Sequence, residues 1–566
     1  MPEPRCTVEY QNARKVDRLF VAACAAVTLL ALILRAVTMR RAWVQIDEPS
    51  SLLAIRMVAE KGYPLFPSDV LYLQGALFSY LAAPLAWVLD GNALLDAARA
   101  LSLALGLLVV PVAMVLVRYL TASTVAASLT GLLIAGDPNL TAWGITLRPY
   151  GLLAGITALA SYCFVKLVAE GKGATVAKVR VVTWIPVLAV LGTLTHIGFW
   201  LVVPAMALVG LVVWNRSLLT DNRIILIRGA ASLAAPAALL LLGRYAGIGN
   251  GTGGETTGAS FVGSHLFSLS RVIEAPAIRW PIWSNNFGHG LFHESLPFLI
   301  ALCGGALIFA ALAPAGDAGR TTGGAVVVLI HWITILIVGV FVVNDPQPRY
   351  LVHILPLGYV ILGVAAAFLW RAATWHARMA RVAIRLALAA IVVLPSLANA
   401  ASAANWRMGV AGHDADYWNI TQWVGNRYED GQYVITALPP AAAFWFPPEV
   451  VDERMYFLAG PEGRNRTRRY AKAMEDGTTG DYWLGMPPIG STDALCQVLA
   501  EHAGNAWVIV DSARLGASWA YKGDMADVIT GSTEVRHKGD GRSLALFVKP
   551  VRRWDRDLTR PCGERQ

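Results

Sequence analysis

Charge is what this sequence has least of. Only 15% of its 566 residues are Asp, Glu, Lys or Arg, while 56% fall in the hydrophobic set; a soluble domain carries roughly 25% charged residues. A water-soluble protein of this length needs several domains with charged skins, and most of this chain cannot supply one. Lipid must therefore cover much of it. Cysteine is sparse too. Of six, Cys24, Cys163 and Cys303 lie in apolar runs and Cys6 in the N-terminal tail. Cys496 and Cys562 fall in the polar C-terminal part, where they permit one disulfide if that part faces an oxidising compartment, or stand as two unpaired thiols. No short internal repeat is present. The Gly-rich run 247–258, GIGNGTGGETTG, lacks the Lys-Ser/Thr ending of a phosphate loop and reads as a flexible loop. The first apolar stretch runs straight into Arg35, Arg40 and Arg41 without a small-residue cleavage site, so no cleavable signal peptide is expected.

The net charge of +9 and pI near 9.3 do not indicate nucleic acid, because Lys and Arg sit in short clusters between apolar runs, as orientation signals do. Those runs dominate the chain. Charge-free windows cover 19–34, 70–89, 100–117, 119–136, 149–165, 181–215, 229–243, 295–316, 321–344, 350–370 and 386–406. A spanning helix needs about 20 residues; 181–215 is long enough for two, with a turn at Thr195-His196-Ile197-Gly198. Twelve candidates result.

Twelve crossings scatter the basic clusters over both faces. If 70–89 lies along the interface and the other eleven cross, the N-terminus (Arg5, Arg14, Lys15, Arg18), Arg118, Lys166/Lys172/Lys178/Arg180, Arg216/Arg223/Arg228, Arg320 and Arg371/Arg378/Arg381/Arg385 all fall inside. Pro84, flanked by Asp69 and Asp90, is compatible with a surface-lying helix. The expected fold is thus a polytopic α-helical membrane protein of about 11 spans, N-terminus in and C-terminus out. A cytosolic tail (1–18) precedes a transmembrane domain (19–406), with a first outer loop at 40–99 and a large one at 244–294. Residues 407–566 are richer in charge and break into short apolar strands (433–438, 506–511, 544–549) separated by helical stretches such as 414–427. They read as a small soluble extracytoplasmic α/β domain.

The outer face collects the chemistry. The first outer loop opens Ile46-Asp47-Glu48-Pro49 directly after a span; such a carboxylate pair binds a cation, accepts a proton or solvates the interface. A helix-compatible stretch, 50–61, follows and carries Arg56, before the break Gly62-Tyr63-Pro64. Arg99 begins the second span. The loop 137–148 holds Asp137-Pro138 at one end and Arg148-Pro149-Tyr150 at the other. The last outer loop reads Asn344-Asp345-Pro346-Gln347-Pro348-Arg349-Tyr350. Each arginine alone also reads as a headgroup anchor. Together, Arg99, Arg148 and Arg349 put three guanidiniums on one face, which suits a phosphate at that depth. His196 reads equally as a further member or as the filler of a polar turn.

Four blocks carry a resemblance: IDEPSSLLAIRMVAEKGYPLFP, YLQGALFSYLAAPLAWVLDGNALLDAARALSLALG, LRPYGLLAGITALASY and PQPRYLVHILPLGYVILG. Over residues 15–400 the sequence resembles the polyprenyl-phosphate-sugar-dependent glycosyltransferases of the GT-C superfamily, in particular the bacterial branch of protein O-mannosyltransferases and aminoarabinose transferases. In that family the apolar segment after the first loop is a juxtamembrane helix, in agreement with the reading of 70–89. The resemblance implies that Asp47 is the general base for the acceptor and Glu48 its auxiliary. It implies an inverting single displacement, with Arg99, Arg148 and Arg349 on the departing lipid phosphate. Tyr150, Tyr350, His196, Arg56 and Asp137 become sugar or acceptor contacts; Asp137 is the nearest match to a second acid of some relatives, although it precedes Pro138 rather than adjoining Arg148. The implied partners are a polyprenyl-phosphate-linked sugar, a glycan, lipid or protein acceptor, and membrane lipid. No cofactor is assigned: metal dependence in the superfamily tracks diphosphate donors and no compact ligand cluster is visible, so a monophosphate donor without a divalent cation is expected. The implied location is a bacterial cytoplasmic membrane, active site outward. Rival classes are a transporter or lipid flippase, whose ionisable groups sit near the midplane within paired halves, and a non-catalytic polysaccharide-assembly subunit.

Overall fold

The computed structural model describes residues 5–72, 75–169, 176–196, 198–199, 202–212, 304, 318–341, 352–372, 415–459, 471–473, 478–517, 520–521 and 523–551. The chain divides into two compact units. One holds Met1–Arg41, Arg99–Leu242 and His265–Arg407; the other holds Ala42–Ala98, Gly243–Ser264 and Met408–Gln566. The first outer loop, expected within the membrane domain, thus clusters with the C-terminal part. The expected spans 229–243 and 386–406 lie outside the described residues, as does 295–316 apart from Gly304.

In the helical unit, α1 (Arg5–Met39) contains the first apolar window and exposes Leu19, Val21, Leu29 and Ile33, as expected of a helix that faces lipid. Helix α4 (Gly91–Leu107) passes Arg99 and breaks at Leu108 before α5 (Val109–Thr121). Arg99 therefore lies inside a helix instead of opening one: a charge ends an apolar window, but an arginine is a good helix former and does not end a helix. Helices α6 (Thr124–Gly136), α8 (Tyr150–Ala169), α9 (Val176–Thr195) and α10 (Val202–Val212) follow the remaining windows, with His196 in the break between α9 and α10. Helices α11 (Ala318–Phe341) and α12 (Leu355–Ala372) complete the described set. Between α6 and α8, where a loop is expected, stands the short helix α7 (Pro138–Ile145). Its cause is local: Asp137 at the N-cap accepts the Leu140 N–H at 2.6 Å, and Pro138 fits the first helical position. Among the described residues, three stretches are long and apolar enough to cross a membrane: Asp17–Met39, Gly91–Thr121 and Tyr150–Leu167.

The second unit contains α2 (Glu48–Lys61), α3 (Ala76–Ala86) and a six-stranded sheet of order β5-β2-β1-β6-β8-β7. Its strands are β1 (Tyr433–Thr436), β2 (Met455–Leu458), β5 (Pro488–Ile489), β6 (Ala506–Asp511), β7 (Thr533–Lys538) and β8 (Ser543–Val548); the short pair β3 (Ala471–Ala473) and β4 (Thr479–Asp481) is separate. The first four in spatial order run parallel, with Ile435 opposite Tyr456 and Val508, while β8 and β7 are antiparallel. All six residues of β6 are buried, which explains its unbroken apolar run at the centre of a sheet covered on both faces. Helix α13 (Tyr417–Gly425) covers part of it. At eleven residues, about 16 Å at 1.5 Å per residue, α3 is too short to span a bilayer. It buries Ala76, Phe78, Ala82 and Ala83 and exposes Tyr80 and Leu81, followed by exposed Trp87 and Val88.

The chain runs from β1 to β2 and β5 on one side and returns to β6 on the other, so the switch point lies at the carboxyl ends of β1 and β6, where open α/β sheets bind ligands. Here the chain's own side chains fill it. Arg514 donates to Ala437 O and Tyr417 Oη, each at 3.2 Å, and its Nε lies 3.2 Å from Asp511 Oδ2, which also accepts the Tyr417 hydroxyl at 2.5 Å. Burial holds the Tyr417 phenol well above its ordinary range, with the Asp511 carboxylate adding to the effect and Arg514 opposing it.

Candidate functional site

The acid pair divides by environment. Glu48 is fully buried, and its Oε2 accepts the Gln45 N–H at 2.6 Å. The Gln45 side chain in turn accepts the Asp47 N–H at 2.8 Å. Asp47 stands at the N-cap of α2, half-buried, and its side chain makes no cap hydrogen bond. Pro49 in the first turn and Gly62 in the left-handed conformation (φ 83°) bound the helix. Arg56 lies two turns on. Its Nε bonds Glu60 at 2.8 Å, its Nη1 donates to Ala443 O at 3.2 Å, and its guanidinium lies 5.6 Å from the Phe444 ring centroid.

In the helical unit, Arg148, Tyr150 and His196 come together. The Arg148 guanidinium lies 5.8 Å from the Tyr150 ring centroid, and that ring is 5.0 Å from the His196 ring and 4.9 Å from Trp143. The Gly198 N–H donates to His196 Nδ1 at 2.9 Å, which leaves the neutral ring's proton on Nε2. A Cβ at Gly198 would stand 2.9 Å from that Nδ1, so only glycine leaves the ring in place. Ser102 Oγ, three residues after Arg99 on α4, bonds Thr146 O at 2.7 Å and Arg148 O at 3.4 Å. Residues three apart share a helix face, so the buried Arg99 lies on the side of α4 that holds this turn. Arg349 and Tyr350 lie outside the described residues. Among the described residues, no three His, Cys, Asp or Glu side chains group as metal ligands.

No family model and no curated protein matches the sequence. Solved structures do match the fold. The oligosaccharyltransferase of Archaeoglobus fulgidus, tethered with an acceptor peptide containing the NVT sequon, aligns over 91% of this chain and 72% of its own at 12% identity, with a TM-score of 0.53. The same enzyme in complex with Zn and sulfate aligns over 90% and 71% at 14% identity, also at 0.53. The chain shares the fold of that oligosaccharyltransferase. ArnT from Cupriavidus metallidurans, bound to undecaprenyl phosphate, aligns over 93% of this chain and 97% of its own at 16% identity, with a TM-score of 0.49.

Within this fold several residues matter that local sequence pattern does not single out. Arg35 on α1 is buried, none of its three guanidinium nitrogens has a hydrogen-bond partner among the described residues, and a Cβ at Gly144 of α7 would lie 3.1 Å from its Nη1. Asp137 is the carboxylate with which it interacts electrostatically. Both Asp137 oxygens are engaged: Oδ1 with Leu140 N–H, Oδ2 with the Tyr359 hydroxyl of α12. Asp137 thus ties α7 to α12. His353 is buried beside Gly198. The single charge within the apolar stretch 19–39 of α1 is the signal that identifies Arg35, since intramembrane charge is costly and retained for cause. Gln45 carried no such signal.

Proposed function

We propose that this protein is a membrane glycosyltransferase that moves a sugar from a polyprenyl-phosphate donor to an acceptor on the extracytoplasmic side. The reading is supported by the difference within the acid pair: Glu48 is fully buried and accepts the Gln45 N–H, while Asp47 stands half-buried at the N-terminus of α2. Asp47 takes the proton of the acceptor hydroxyl or amine as that atom attacks the anomeric carbon. The bond from that carbon to the phosphate oxygen breaks, and polyprenyl phosphate leaves with the electron pair. One in-line displacement inverts the anomeric centre. Arg99, Arg148 and Arg349 stabilise the charge that grows on the phosphate. Tyr150, Tyr350 and His196 hold the sugar, with His196 offering its Nε2–H as donor. The apolar face of α3 rests on the membrane surface through Tyr80, Leu81, Trp87 and Val88, and N-terminus-in, C-terminus-out topology puts the sheet-bearing unit outside. Cys496 is disulfide-bonded, which suits an oxidising compartment. The GT-C fold, shared with an oligosaccharyltransferase, supports the class of reaction.

Incubation of purified protein with a panel of polyprenyl-phosphate sugars is the test, read as donor hydrolysis or transfer. A transporter or flippase draws support from Arg35 and Asp137, an ionisable pair inside the helical unit. Lipid movement across proteoliposomes without sugar transfer selects it over the transferase.

A further inference from the structure

The geometry points to residues 408–566 as the mount that sets the position of Asp47, which gives the C-terminal domain a part in catalysis without contact with substrate. The inference rests on the reading of Asp47 as general base. Leu53, Ala54 and Met57 of α2, with Phe66, Val70 and Tyr72 just beyond it, are buried in the same core as Val434, Ile435, Phe457, Val508 and Ile509 of the sheet. Polar clasps join the two segments at both ends. Arg56 donates to Ala443 O beyond β1; Ser68 N donates to Trp483 O at 3.3 Å and Ser68 Oγ to Tyr482 O at 2.5 Å; Trp418 Nε1 donates to Asn92 Oδ1 at 2.7 Å. The helix that starts beside Asp47 is therefore part of the sheet's own folding unit, although some 370 residues separate them in sequence. A short loop segment has no core to bury by itself, and a base misplaced by about 1 Å costs on the order of 100-fold in rate. Arg56 and Ser68 are accordingly positioning residues.

Hydrogen exchange of the full-length protein in detergent reads this without any substrate. Val508→Ala, at the centre of β6, is expected to speed exchange at 50–58 in step with β1 and β6, because cooperative units open together. Faster exchange in β6 with none at 50–58 overturns the proposal. Where Val508→Ala fails to fold, Arg56→Met and Ser68→Ala carry the test. Both are expected to loosen 48–61 and lower kcat at least tenfold, with KM for donor and acceptor within about twofold. Unchanged kcat with loosened exchange, or equal losses in kcat and both affinities, overturns it. Coupled exchange combined with full turnover by Asp47→Asn instead sinks the base assignment and leaves the shared folding unit standing.

Discussion

Glu48 and Asp47 are neighbours with unlike surroundings: the Glu48 carboxylate is buried against the Gln45 N–H at 2.6 Å, and Asp47 is half-buried at the N-cap of α2. The two positions therefore separate function from stability. Asp47→Asn, nearly isosteric, is expected to lower kcat by about 10²–10⁴ with donor binding retained, the range of a lost general base. Glu48→Ala leaves a buried N–H unpaired and is expected to cost about 1–3 kcal/mol of stability. Transfer assays beside thermal unfolding of both variants decide it; an inert Asp47→Asn phenotype favours the assembly-subunit reading.

Arg35 and Asp137 make a second pair to separate by mutation. Removing one partner of a buried charge pair leaves the other uncompensated, typically at about 3–5 kcal/mol, whereas replacing both is often close to neutral. Asp137→Asn and Arg35→Met are each expected to destabilise the protein in detergent. The double variant should be more stable than the sum of the two losses allows. Strict additivity in melting experiments means that the two groups do not interact.

Gly198→Ala tests the placement of His196. The new methyl must displace the imidazole, because its Cβ position lies only 2.9 Å from Nδ1. Donor KM is expected to rise about tenfold or more, with acceptor KM nearly unchanged, since the sugar loses a positioned Nε2–H. His196→Asn, which keeps an acceptor for the Gly198 N–H but shortens the far side, should reproduce the donor defect with less structural disturbance. Normal donor KM in both variants removes His196 from the site.

Much of this was legible because apolar length and charge-free windows report on lipid burial directly. The turn at His196, the helix after Asp47 and the strand of β6 all stand where local pattern indicates. Charge does not mark helix ends here: Arg99 lies within α4 and Arg35 within α1. Asp137-Pro138 interrupts the apolar pattern as a loop does, yet the dipeptide is a helix-start signal and opens α7. Strand β5 is two residues long and β7 is largely polar, so neither offers a periodic signal. The union of 42–98 with the C-terminal sheet was invisible because nothing local encodes a contact across that separation.

Asp481 gives the sheet-bearing unit a pH signature. Burial pushes its carboxyl up to about 6 from an ordinary 3.8, against the N–H groups of Trp483, Leu484 and Met486, which donate to it at 2.8, 3.1 and 2.6 Å and hold it down. A carboxyl raised in the folded state binds its proton more tightly there than in the unfolded chain. Between about pH 6 and 4 the native state then holds more protons, so this group's contribution to stability grows as pH falls through that window and is lost again as pH rises through 6. At roughly 1.4 kcal/mol per unit the full span is worth about 3 kcal/mol. Asp481→Asn abolishes the titration and turns an amide N–H toward one of the three donors, a loss of about 1–3 kcal/mol at pH 7. Tryptophan-monitored unfolding of both proteins from pH 7.5 to pH 4 should show wild type gaining on the variant as the solution is acidified. Wild type losing ground instead means that the three N–H groups outweigh burial and keep the carboxylate charged, which reverses the sign of the effect.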